Sequence, residues 1–140
     1  MVWLEREKYL MVTGIVVTHG KLAEELLHTA GMIYGAFDHC HALSNASKSP
    51  QVLAQEIESL IDAVGGSSCI IFVDFIGSSC THACLKTVGD RPLMQVITGV
   101  NLPMILAFLN KRDEVPFDEL MAAIVQRSFD SIRVLDSTNS

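Results

Sequence analysis

The chain has 140 residues and a mass of 15.3 kDa, the size of one domain built around a single core. Hydrophobic residues make up 49% and aromatics only 6%, so an aliphatic core is expected. The formal net charge is −6 with no basic run, which argues against a nucleic-acid-binding surface and suits a partner with a basic one.

Residues 1–10 alternate apolar and charged side chains, among them Glu5, Arg6, Glu7 and Lys8. Charges interrupt any secretory signal there, and the segment reads as an N-terminal extension to a domain spanning 11–140. No window approaches the roughly 20 apolar residues that cross a bilayer, so direct membrane insertion is not expected. The four cysteines, at 40, 69, 80 and 84, then read as reduced thiols of a cytoplasmic protein.

Val12 to Thr18 is β-branched and nearly continuous in its hydrophobicity, the pattern of a strand buried on both faces. Leu22, Leu26 and Ile33, with Ala23, Leu27, Ala30 and Tyr34, follow at helical spacing, and Gly35 stops that helix. A short strand is expected around His41-Ala42-Leu43, then a polar loop over residues 44–50. A second helix places Leu53, Ile57, Leu60, Ile61 and Val64 on one face and ends at Gly65-Gly66. Cys69 to Asp74 is a buried strand that closes on a carboxylate. Gly77-Ser78-Ser79 forms a turn and cap for a third helix with Ala83, Leu85 and Val88. Residues 93–98 make a further strand closed by Gly99. Pro103 opens a helix through Leu109, and Pro116 opens another carrying Phe117, Leu120, Met121, Ile124 and Val125. Ser131 to Leu135 alternates as an edge strand would.

Strands alternating with helices predict an α/β three-layer sandwich, with a mainly parallel sheet and helices on both faces. Ligands in such sheets gather at the carboxyl ends of strands near a switch point. That rule selects His19, Asp74 and the segment from Gly99 to Pro103.

His19 lies where the first strand meets a helix start, at the positive end of the dipole, which favours an anion by roughly 0.3–1 kcal/mol. First-turn N–H groups hold phosphate oxygens in such places, and Gly20 leaves an approaching protein unobstructed. Asp74 is placed to bond one ring nitrogen and leave the other as nucleophile, with Ser78 and Ser79 as donors to phosphoryl oxygens.

Four stretches resemble a known family. Ile15-Val16-Val17-Thr18-His19-Gly20, with Leu22 to Leu27 after it, resembles the opening of mannose-type enzyme IIA domains of the bacterial sugar phosphotransferase system. Phe72 to Ser79 is similar to their Asp and Gly-Gly-Ser turn, Gly99 to Met104 to a third motif, and Phe117 to Leu120 to a segment near the end. The likeness runs from about Met11 to Leu135. It implies a phosphotransferase with a phosphohistidine intermediate: His19 takes phosphate from phospho-HPr and gives it to a IIB protein for coupled sugar uptake. Asp74 orients the histidine, and Gly20, Ser78 and Ser79 surround the phosphoryl group. It further implies a homodimer in which the last strand, antiparallel, is exchanged between subunits, with no metal and no cofactor. Ser78 stands where the family has a second glycine, Cys80 where it has Pro or Thr, and Phe75 where Thr or a small polar residue is usual. The alternative expectation is a regulatory protein in which phosphorylated His19 gates a partner without transport, since added charge inverts contacts at an interface.

Other constellations are weaker. His39, Cys40, His41, Cys80, His82 and Cys84 lack the Cys-x-x-Cys or His-x-x-x-His pairing of a zinc site. Cys80 reads as a space-filling residue rather than a reactive thiol, and His28 as a surface side chain. Neither a nucleophile elbow nor a nucleotide-binding glycine loop occurs.

Overall fold

In the computed structural model, which describes residues 11–64 and 68–138, the two most continuously apolar stretches form the centre of the sheet. They are β1 (Thr13–Thr18) and β3 (Cys69–Val73), buried along their whole length and paired in parallel. β2 (Cys40–Ser44) flanks β1 and β4 (Met94–Ile97) flanks β3, so the order β2-β1-β3-β4 is parallel throughout. The chain runs outward from β1 to β2 and then crosses back to β3. That reversal opens a crevice between the carboxyl ends of β1 and β3.

Helices cover both faces, because strands buried on two sides need two layers over them. Val16, Ile70 and Phe72 point to the face covered by α1 (Leu22–Tyr34), α4 (Leu102–Lys111) and α5 (Phe117–Asp130). Ile15, Val17, Ile71 and Val73, one residue out of phase, pack under α2 (Pro50–Ala63) and α3 (Ser79–Val88). Phe72 and Phe108 meet edge to face, their centroids 5.3 Å apart. This close packing explains Gly14, where a Cβ would lie 2.9 Å from the Phe108 ring.

Arg112, fully buried at the end of α4, stacks over Phe108 and donates to the carbonyls of Val12 (3.2 Å) and Asp38 (2.9 Å). Its guanidinium thereby ties α4 to the segments leading into β1 and β2, and the carbonyls satisfy donors that burial would otherwise strand.

Three expectations change. On α1 the buried line is Ala23 and Ala30, with Leu26 and Leu27 half-buried, whereas Leu22, Ile33 and Tyr34 are exposed. The helix lies on its small residues, which turns those larger side chains outward. On α3, Leu85 faces solvent while Cys80 and Cys84 fill the core. Residues 131–135 form no strand within the chain, and Ile132, Val134 and Leu135 stand exposed. A strand exists only where a ladder forms, and among the described residues no strand pairs with this segment. The antiparallel last strand is therefore missing from the sheet of the described residues. The extension at 1–10 and the helix stop at Gly65-Gly66 lie outside the described residues. Among the described residues no helix is long and apolar enough to cross a membrane.

Candidate functional site

The corner between β1 and α1 is built by Thr18. Its buried hydroxyl accepts the Ala23 N–H at 2.8 Å and donates to the His19 carbonyl at 3.2 Å, capping α1 from four positions before its first residue. Gly20 turns the chain with φ +56°, and nothing lies within 4 Å of where its Cβ would be. His19 is thus carried on a rigid, open corner, its side chain 46% exposed.

Asp74, which follows β3 across the crevice, is the anchor. One carboxylate oxygen, Oδ2, accepts the His19 backbone N–H at 2.9 Å and lies 2.7 Å from His19 Nδ1. The other, Oδ1, accepts the Phe75 N–H at 3.1 Å. An ionised carboxylate only accepts, so Nδ1 carries the proton, and the free lone pair of an uncharged ring is then on Nε2. Burial by itself raises the Asp74 carboxyl. The His19 amide, the His19 ring, its charge and the Phe75 amide together outweigh that and hold it below the ordinary carboxylate value.

The sign of the pH effect follows. A depressed folded pKa contributes stability above the unfolded value of about 3.9, and that contribution is lost as pH falls through the folded pKa. The stability gap between wild type and Asp74→Ala is therefore expected to shrink below about pH 4. Urea unfolding at several pH values measures it; a gap that stays constant down to acid rules the assignment out.

Phe75 stacks on the imidazole, centroids 5.1 Å apart and planes at 20°. Its carbonyl accepts from the hydroxyls of Thr81 (2.8 Å) and Ser78 (3.3 Å). Ser78 also caps α3 by accepting the Thr81 N–H at 3.2 Å. The Ser78 hydroxyl is therefore turned into the corner, while Ser79 begins α3 on the exposed side. After β4, the Val100 N–H donates to the Val73 carbonyl at 3.0 Å, so the Gly99–Pro103 segment is tied to the end of β3. Of the residues selected from sequence, His19 and Asp74 are in direct contact. Gly20 shapes the corner, Ser78 supports it, and no hydrogen bond joins Ser79 to His19 among the described residues. The roles of Thr18 and Thr81, and the stack of Phe75 on His19, escaped sequence reasoning. The Thr18 hydroxyl at a strand end and the Ser78-x-x-Thr81 spacing were the signals available.

Burial, then the Asp74 charge, push the Cys80 thiol up, and burial pushes Cys69 and Cys84 up to about 12. None is a ready thiolate. His39 pairs with Asp38 at 2.8 Å, Cys40 accepts from Arg112, and His28 is exposed. Among the described residues no three His, Cys, Asp or Glu side chains converge as a metal site would need.

A family model, EIIA-man, described as PTS system fructose IIA component, matches residues 13–125. The PTS system mannose-specific EIIAB component of Escherichia coli (strain K12) is 32% identical over 129 residues, 89% of this chain and 40% of that protein. The chain thus spans well under half of that relative. The PTS system sorbose-specific EIIA component of Klebsiella pneumoniae is 26% identical, covering 79% of this chain and 82% of that one. The crystal structure of phosphotransferase system component EIIA from Streptococcus agalactiae superposes with a TM-score of 0.82 at 17% identity, over 93% of this chain and all of that one. A mannose/sorbose-specific IIA subunit from Enterococcus faecalis gives 0.80 at 22% identity, over 91% and 96% of the two chains. These structural likenesses establish the α/β sandwich.

Proposed function

This chain belongs to the EIIA-man family, and from that premise we propose that it is a phosphocarrier of the sugar phosphotransferase system acting through His19. The observation that carries the reading is the bond between the Asp74 carboxylate and His19 Nδ1, which leaves Nε2 as nucleophile on an open corner.

The Nε2 lone pair attacks the phosphorus of phospho-HPr in line with the departing nitrogen. The donor's P–N bond breaks with its electron pair returning to the donor ring, and a new N–P bond forms on His19. Nδ1 keeps its proton, so the phosphorylated ring carries positive charge, which Asp74 neutralises at 2.7 Å. α1 and α3 both begin at this end of the sheet. Their first-turn amides, other than those held by Thr18 and Ser78, lack helical acceptors and suit the phosphoryl oxygens, with Gly20 and Ser79 beside them. The same step in reverse sense delivers the group to a IIB protein, and the net charge of −6 favours basic docking surfaces on both partners. Incubation with phospho-HPr is expected to place one acid-labile phosphate on the protein, chased off by a IIB protein. A protein that takes no label ends the proposal.

The working form in this reading is a homodimer. Exposed Ile132, Val134 and Leu135 follow an apolar groove lined by Ile97, Met104, Val125 and Phe129 beside β4, whose outer edge is unpaired among the described residues. Exchange of residues 131–135 would cover this edge, a common way to shield one. Sedimentation equilibrium is expected to show twice the monomer mass at micromolar concentration, and a monomer for Val134→Asp. A monomeric wild type refutes the exchange.

A further inference from the structure

The ring of Phe75 is 53% exposed, an unfavourable place for an aromatic side chain unless something holds it there. Its backbone is fastened at both ends: the N–H to Asp74 Oδ1, the carbonyl to the hydroxyls of Thr81 and Ser78. The same carboxylate that holds His19 through Oδ2 thus holds Phe75 through Oδ1, so one side chain sets both members of the stack. Asp74 constrains a single ring nitrogen and leaves the imidazole free to swivel about that bond. The Phe75 ring lies 5.1 Å away and 20° from parallel, against the face of the imidazole that such a swivel would sweep.

We propose that Phe75 is a positioning residue that fixes the plane of the His19 imidazole, so that the Nε2 lone pair points along the line of phosphoryl transfer. The inference rests on the phosphocarrier reading and adds to it a second constraint on the nucleophile. In-line displacement tolerates little angular error, and a nucleophile confined to one plane spends more of its time aligned. The π face over the ring also favours the positive charge that the imidazole gains with the phosphate, since a cation within about 6 Å of an aromatic centroid is attracted to it. Both effects are lost when the aromatic ring is replaced by an aliphatic side chain of similar bulk.

The test compares wild type, Phe75→Leu, Phe75→Thr and Phe75→Tyr. In the free protein, ring current from Phe75 is expected to move the His19 ring-proton resonances upfield in wild type and Phe75→Tyr, and the shift disappears in the Leu and Thr variants. Single-turnover transfer from phospho-HPr is expected to be about 3- to 10-fold slower in those two and restored by Tyr, the range that an aromatic pair supplies. Circular dichroism and unfolding midpoints check that all four fold alike. Phe75→Leu transferring at the wild-type rate, or keeping the upfield shift, overturns this inference and leaves the phosphocarrier reading intact. A wild type that accepts no phosphate while its His19 resonances are shifted overturns the phosphocarrier reading, and the role in transfer with it.

Discussion

His19→Ala is expected to take no phosphate from phospho-HPr, a loss of at least about 10³-fold in the single-turnover rate. Among the described residues no other imidazole is bonded to the Asp74 carboxylate. Thr18 is buried with its hydroxyl bonded on both sides, the Ser78 hydroxyl is tied to Phe75 and Thr81, and the Cys80 thiol is buried and raised. Among the described residues His28, His39, His41 and His82 make no hydrogen bond to Asp74, which holds only the His19 ring. The imidazole is nearly half exposed and loses one bond to a carboxylate that keeps two backbone N–H donors, so its removal costs at most about 1.5–3 kcal/mol. The loss is therefore one of chemistry, not of folding. Radiolabel transfer followed by peptide mapping reads the result; equal labelling of the alanine variant sinks the assignment.

Asp74→Asn is the second large effect, a fall in transfer of about 10²-fold or more, by analogy with carboxylate-to-amide changes beside a reactive histidine. The mutation is nearly isosteric, yet it alters two things at once. An amide turned to present its NH2 group to Nδ1 selects the tautomer with the proton on Nε2, where no lone pair remains to attack phosphorus. An amide turned the other way keeps the tautomer but supplies no countercharge to the positive ring that forms. Rapid-quench measurements separate the variants, with circular dichroism confirming that β1 and β3 remain joined. A wild-type rate in Asp74→Asn would remove the carboxylate from the mechanism. The two residues act through one bond, so the double variant should be no slower than His19→Ala alone.

The placement of His19 and Asp74 was readable because two independent one-dimensional signals coincide there. β1 and β3 announce themselves as unbroken aliphatic runs, and a polar residue at the end of such a run must emerge where a parallel sheet binds ligands. The helices were legible from periodicity for the same reason, with Ser49 and Asn101 capping α2 and α4. Periodicity did not say which arc of α1 faces the sheet. Leu22 and Ile33 lie outward because Ala23 and Ala30 let the helix sit close, a packing choice that hydrophobicity does not encode.

The turns carried the rest. Phe75 read only as standing where the family has Thr or a small polar residue, and the fold shows its ring laid over the imidazole. Ser78 read as a phosphoryl donor, yet its hydroxyl is spent on the cap of α3 and the Phe75 carbonyl. Arg112 carried no signal, since a lone cation near a helix end is ordinarily solvated. Residues 131–135 have the alternation of a strand but pair with no edge among the described residues.

By itself the sequence determined the alternation of strands and helices, the two buried central strands and the placement of His19 and Asp74 at the ends of those strands. These follow from local composition and from the period at which a chain buries its side chains. Only the tertiary structure decided the direction of side chains at the corners and the stack on His19. Those depend on a few backbone torsions and on neighbours distant in the chain, which no local pattern records.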